Sequence, residues 1–317
     1  MGNHIPHSVT EIKDEFSKSL KRFVESLRAH ISTEDGDWTI KGFIDVYRTV
    51  YTISSDTKVI SKILEIHLFP KILQFAEENG YNVVLAECQN WYPDLSFVNQ
   101  NNPQVKFAVD LKTTYRDPDF PDHINGFTLG SHGGYFTNRT ASKNIQYPYS
   151  EYSGHYCLGI IYSRTDFKDV DETTEITVLE LIDKDANQPK INERDLTSVE
   201  NLHSIVSVIK DFQFFVCEKW QIASDRQGSG NTANIGSITF IKDILKGNGI
   251  FAKLGEDWFD EYWMNYGIAT MKRKRKTIPI KRLEDFIDFK GGDRNLIVPV
   301  ITKNRRKKAN ENDCSTD

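Results

Sequence analysis

No run of apolar residues in this 317-residue chain is long enough to cross a bilayer, so a membrane partner is not expected. The first thirty residues are polar and charged and contain no signal-peptide core, which makes the expected location cytoplasmic. Cysteine is scarce. Cys88, Cys157, Cys217 and Cys314 are far apart and form no C-x-x-C pair, which excludes a disulfide scaffold or zinc knuckle and predicts free thiols. The eight histidines show no H-x₃-H spacing, so a zinc site is not expected either. There is no internal repeat.

What is present suits a folded domain or two. Hydrophobic residues make up 38% and aromatics 12%, enough for a sizeable core, and 27% charged residues fit a soluble globular chain. The net charge of −5 speaks against nucleic acid only until its distribution is read. Residues 268–317 hold 14 Lys and Arg against 7 Asp and Glu, whereas residues 165–211 hold 5 basic against 12 acidic side chains. Segregation of this kind leaves room for a local cationic surface.

Along the chain, Ile12, Phe16, Leu20, Phe23, Val24 and Leu27 recur at helical spacing within residues 9–31. Trp38–Ile53 reads as one or two strands. Ser54-Ser55-Asp56 offers caps for a helix that Pro70 is expected to break or restart before Asn79-Gly80. Strands follow at Asn82–Ala86, Leu95–Val98, Val105–Tyr115, Cys157–Tyr162 and Phe212–Ala223, with helices at Ile238–Leu245 and Phe259–Tyr266. The fold class is α/β, a mixed central sheet flanked by helices. Three parts are expected: residues 1–54, a core at 55–267, and a basic extension at 268–317. The acidic stretch 165–211 is expected to be an insertion in the core, with a helix near Val199–Ile209. The extension is expected to hold order at Leu283–Phe289.

The chemistry centres on Tyr92-Pro93-Asp94 and, sixteen residues beyond Asp94, Asp110-Leu111-Lys112. Alternate side chains of a strand share a face, so Phe107, Val109 and Leu111 point to the core while Asp110 and Lys112 project together. Asp94, opening the preceding strand, can lie beside them. Two carboxylates and an ammonium suit phosphodiester hydrolysis: the carboxylates hold Mg²⁺, and the lysine orients water and offsets charge in the transition state. Glu65, on the helix before, offers a third carboxylate. Taken alone, P-D followed by D-x-K also arises by chance on a solvated strand.

Gly228-Ser229-Gly230-Asn231-Thr232-Ala233-Asn234 is a second candidate site. It fits G-x-G-x-x-A, but no acidic residue stands at the distance a dinucleotide site needs. As a DNA reader it makes better chemical sense. Glycines allow close approach, Asn can bond an adenine edge with two hydrogen bonds, and a Thr methyl can touch that of thymine. A plain glycine turn is the simpler alternative. Lys272-Arg273-Lys274-Arg275-Lys276 is either a phosphate-contacting segment or a solvated charge run.

Several segments together resemble the EcoRV family of type II restriction endonucleases. They are Ser55 to Val59, Gln89-Asn90-Trp91-Tyr92-Pro93-Asp94, Asp110 to Tyr115, Phe127 to Gly130, Lys143-Asn144-Ile145, Gly228 to Ser237, and Gly247 to Phe251. They occur in the family's order. The resemblance implies a restriction-endonuclease-like fold with a dimerisation subdomain in residues 1–54. It also implies a homodimer that cuts double-stranded DNA with Mg²⁺ at a six-base-pair palindrome, GATATC, cut bluntly to leave 5′-phosphates. A DNA methyltransferase of the same host is its functional partner in a restriction-modification system.

Asp94 and Asp110 fall on the family's metal-binding aspartates, Lys112 on its catalytic lysine and Glu65 on its assisting glutamate. Gly228, Ser229, Gly230, Asn231, Thr232 and Asn234 fall on the major-groove reading loop, and Gln89 and Asn90 on the minor-groove loop. Thr113, Thr114 and Lys143 are further candidates for DNA contact. Cys88 and Ala233 depart from the family's glutamine and threonine, the stretch 130–140 is longer, and 165–211 and 268–317 are expected to lack an equivalent. The competing reading is a catalytically silent DNA-binding protein of the same fold. The candidate dimer surface is Trp38, Ile40, Phe43, Ile44, Val46 and Tyr47.

Overall fold

The computed structural model describes residues 8–47, 49–88, 91–131, 137–165, 175–178, 196–228, 234–273 and 275–303. Helix α1 (Val9–Ile31) starts at Ser8, whose hydroxyl accepts the Glu11 N–H while the Glu11 carboxylate accepts that of Ser8. Phe16, Leu20, Val24, Leu27 and Ile31 then bury one stripe, as their spacing predicts. Of the one or two strands expected over Trp38–Ile53 there are two, β1 (Gly42–Ile44) and β2 (Thr49–Thr52), paired as an antiparallel hairpin. Trp38 does not belong to an exposed surface: it is wholly buried in the core against α1 and the next helix, and Ile40 packs on the same cluster. Phe43, Ile44, Val46 and Tyr47 do lie outside, each more than half exposed.

Helix α2 (Thr57–Glu78) is capped by Asp56, which accepts the N–H groups of Lys58 and Val59 at 2.9 and 3.1 Å. It runs through Pro70 without a break. Proline cannot bond the Ile66 carbonyl, but Ile66 and Pro70 both lie on the exposed side, where water can serve that carbonyl instead.

Strands β3 (Tyr81–Leu85), β4 (Leu95–Asn99) and β5 (Lys106–Tyr115) form an antiparallel meander. After β6 (Thr128–Ser131) comes β7 (Tyr152–Arg164), which lies parallel to β5. The acidic stretch contributes β8 (Glu175–Val178) and β9 (Leu196–Thr197), and β8 pairs with β2. What reads as an insertion therefore completes a four-stranded sheet with the N-terminal hairpin. Of its expected helix the structure holds a short 3-10 turn, Val199–Ser204.

Strand β10 (Ile209–Glu218) completes the central sheet, ordered β10-β7-β5-β4-β3. The continuous strand expected to Ala223 stops at Glu218, where a single helical turn, α3 (Lys219–Ile222), intervenes. The Gln221 side chain reaches back to accept the Glu218 N–H at 3.0 Å and turns the chain. Strands β11 (Ala223–Gln227) and β12 (Asn234–Ser237) then build a small sheet with β6. Helices α4 (Ile241–Lys246) and α5 (Glu256–Asn265), the hairpin β13 (Thr270–Arg273) with β14 (Lys276–Pro279), and α6 (Leu283–Lys290) follow.

Two cores result, one on each side of the central sheet. Phe16 heads the first, stacked on Phe107 at 4.2 Å and edge-on to Tyr81 and Tyr156. The second gathers Ala108, Cys157, Ile161 and Cys217 from the sheet with Ile222, Trp263 and Phe286. Leu283, Phe286 and Ile287 of α6 are buried in it, so the expected order in the basic extension is present and packed. Cys88, Cys157 and Cys217 are free thiols, as expected.

Candidate active site

Antiparallel pairing sets Leu95 opposite Val109, so Asp94 arrives beside Asp110. The Asp94 N–H donates to Asp110 Oδ1 at 3.2 Å, and the Leu111 N–H donates to Asp94 Oδ2 at 2.8 Å. Lys112 Nζ stands 3.4 Å from Asp110 Oδ2 and 3.6 Å from Asp94 Oδ2. The alternation along β5 holds, with Phe107, Val109 and Leu111 packed on the first core. The opposite face is not solvated, however: Asp110 is 3% exposed beneath the second layer, while the Asp94 side chain is 41% exposed.

A further cation, which the strand reading of 212–223 hides, completes the cluster. Lys219 is buried, with Nζ 3.0 Å from Asp110 Oδ2 and 3.8 Å above the Tyr92 ring centroid. The Tyr92 hydroxyl shares a 2.8 Å hydrogen bond with His155 Nδ1, and His155 stacks on Tyr149 at 3.8 Å. One signal could have revealed Lys219: it stands within a segment rich in apolar residues, Phe212–Ala223, read as a buried strand, and buried lysines are almost always paired.

Burial disfavours charge on Asp110, yet Lys112 and Lys219 outweigh it and hold this carboxyl below its usual range. Asp94 moves the other way. Lost hydration, helped by the negative charges of Asp110 and Glu65, keeps it above the usual range in spite of Lys112. Burial also disfavours the Lys112 ammonium, but the two aspartates more than restore it and its pKa lies above that of ordinary lysine. His155, buried and facing Lys219, is held neutral.

The remaining expected residues are less concentrated. Glu65 is ion-paired with Lys62 on α2, and only its charge reaches Asp94. Thr113 donates to Ser61 Oγ at 3.0 Å and so ties β5 to α2, and Thr114 is buried. Lys143 is exposed on a loop. Gln89, Asn90, Ser229, Gly230, Asn231 and Thr232 lie outside the described residues. Gly228 and Asn234, which flank that loop, are joined by a Gly228 N–H to Asn234 carbonyl bond of 2.9 Å. A Cβ on Gly228 would stand 2.9 Å from Thr128 Cγ2 and 3.1 Å from Gly236 Cα, so a larger residue is crowded there. The basic run forms the tip of the β13–β14 hairpin, where Lys272, Arg273, Arg275 and Lys276 are exposed.

Among the described residues no group of three or more His, Cys, Asp or Glu converges in a metal-binding arrangement. The Asp94–Asp110 pair nonetheless fits a hard divalent ion. It offers carboxylate oxygens from two adjacent strands, and the open side of Asp94 admits the water that such an ion retains. Among the described residues no helix is long and apolar enough to cross a membrane.

The family described as restriction endonuclease EcoRV matches residues 34–187 and 179–291, two pieces that meet within the acidic stretch. The second piece reaches as far as residue 291, into the basic extension. The type II restriction enzyme EcoRV of Escherichia coli is 35% identical over 255 residues, covering 80% of this chain and 93% of that enzyme. With a mixed sheet flanked by helices and an aspartate pair beside a lysine, the chain belongs to the EcoRV family of type II restriction endonucleases, nucleases that hydrolyse phosphodiester bonds.

Proposed function

We propose that this enzyme is a Mg²⁺-dependent homodimer that cuts both strands of DNA at a six-base-pair palindrome, GATATC, leaving blunt ends with 5′-phosphates. The observation that carries the chemistry is the convergence of Asp94, Asp110 and Lys112 within ion-pair distance on one face of the sheet. Asp94 and Asp110 hold the ion, which when bound stabilises charge on the phosphate and acidifies a water. Lys112 donates to the attacking oxygen and offsets charge on the phosphorus centre. Water adds to phosphorus as it gives up a proton to solvent, the P–O3′ bond breaks, and the departing 3′-oxygen takes a proton from solvent, which leaves a 5′-phosphate and a 3′-hydroxyl. The positive charge required at this point is kept by the two aspartates, which hold Lys112 protonated.

Reading is assigned to the loop between Gly228 and Asn234, and minor-groove contact to the loop of Gln89 and Asn90. The exposed quartet Phe43, Ile44, Val46 and Tyr47 supports a dimer surface, since a palindrome is read by two equivalent copies about a twofold axis. A DNA methyltransferase of the same specificity protects host sites. Digestion of a plasmid of known sequence, with Mg²⁺ and with EDTA, followed by sequencing of the ends, tests the whole reading. Blunt ends at GATATC only with Mg²⁺ are expected, and cleavage at unrelated sequences overturns the specificity.

A further inference from the structure

The charges around Asp110 come from separate parts of the chain, and one has no place in a P-D…D-x-K motif. Lys219 opens α3, two residues beyond Cys217, which pairs with Cys157, itself the neighbour of Asp110 on β7. Its ammonium lies closer to Asp110 than that of Lys112 does, at 3.0 against 3.4 Å. The Tyr92 ring covers its other side, and only 6% of the side chain is exposed. Asp110 Oδ1 meanwhile accepts the Asp94 N–H. Both oxygens of Asp110 are therefore held from inside the protein, by partners that do not reach solvent as Lys112 does.

We propose that Lys219 is a positioning residue that fixes the Asp110 carboxylate and, by balancing its charge, weakens divalent-cation binding at the Asp94–Asp110 pair. The proposal rests on the reading of that pair as the metal site. With both lysines present, two carboxylates face two ammonium groups and the cluster is close to neutral. A neutral side chain at position 219 leaves one net negative charge in a poorly hydrated setting, where a divalent ion feels it strongly. The same change unties Asp110 Oδ2, so the ion binds more tightly in a geometry less suited to reaction. Lys112 differs in kind: it touches both aspartates from the open side, where a phosphate can reach it.

The test is Mn²⁺ titration of the full-length protein, followed by the electron paramagnetic resonance of the free ion, alongside the Mg²⁺ dependence of plasmid cleavage. Lys219→Met and Lys219→Gln are expected to bind Mn²⁺ on the order of ten-fold more tightly than the unaltered protein. They should reach half-maximal cleavage at lower Mg²⁺, with a lower maximal rate. Lys219→Arg should bind Mn²⁺ as the unaltered protein does. The glutamine keeps a hydrogen bond to Asp110 and serves where the methionine variant does not fold, as a melting curve shows. Unchanged or weaker Mn²⁺ binding in folded Lys219→Gln overturns the proposal. Asp110→Asn separates the two ideas: if it binds Mn²⁺ as well as the unaltered protein, the metal-site reading itself fails.

Discussion

The two faces of the central sheet are built from one set of strands and do opposite work. On the face under α1 and α2, β5 presents Phe107 and Val109 to an aromatic cluster around Phe16, and the buried groups there are apolar. On the other face the same strand presents Asp110 and Lys112, joined by Lys219 and His155. The first face gains stability from every group it buries. The second buries charges that cost free energy to desolvate and are tolerated because they are paired. Function sits on the face that the fold has to compensate.

That contrast can be broken from either side. The largest effect is expected for Asp110→Asn on the charged face: cleavage falls by on the order of ten-thousand-fold, measured as single-turnover rate on plasmid at saturating Mg²⁺. Asp110→Ala differs from it, because asparagine keeps an amide oxygen that can accept from the buried Lys219 ammonium, whereas alanine leaves that ammonium no acceptor. Its urea midpoint should drop well below that of Asp110→Asn, as expected for a broken buried pair. On the apolar face Phe16→Ala is expected to cost about 3–5 kcal/mol of stability. The molecules that remain folded at low temperature should cut at the unaltered rate.

A smaller effect belongs to recognition. Asn231→Ala should lose about 1–3 kcal/mol of discrimination at one base pair. Binding to the cognate site and to single-base variants measures it, and an unchanged preference removes Asn231 from the reading loop.

The smallest effect sharpens the contrast through pH. His67, packed against His30 and accepting the Trp38 indole N–H at 3.4 Å, is lowered to about 4 by burial and by the His30 charge. An unfolded chain takes up that proton from pH 6.5 downward, whereas the folded protein resists it to about 4. Stability should therefore fall as pH drops through this window and level off below it. His67→Gln should flatten this part of the melting-temperature profile, and an identical slope in the variant excludes His67 as its source.

The legible parts of the sequence are those governed by local periodicity. A 3.6-residue stripe announces α1, and the two-residue alternation of β5 places Asp110 and Lys112 on one face before any tertiary contact is known. Lys219 is not legible this way. Its contact with Asp110 spans more than a hundred residues and depends on β7 lying between β5 and β10, and a turn after Glu218 redirects it. The passage of α2 through Pro70 and the burial of Trp38 are hidden for a similar reason. Each depends on which side faces solvent, and local propensity is silent on that. The acidic stretch reads by composition as an insertion between strands, and composition does not show that β8 pairs backbone to backbone with β2 regardless of side-chain sign.

The neck formed by Gly228 and Asn234 has a bearing on how such an enzyme changes its target. The bond between these residues closes the hairpin, and the space a Gly228 side chain would need is taken by Thr128 and Gly236 of the same sheet. The five residues between them form a cassette with fixed boundaries. On the proposed reading, exchange of these five residues alters what is recognised while the pairing of Gln227 with Ile235 lies outside the exchanged stretch. A side chain at Gly228 is crowded by Thr128 and Gly236, so substitution at this boundary acts on packing as well as on the loop. Diversification is thereby confined to the interior of the loop.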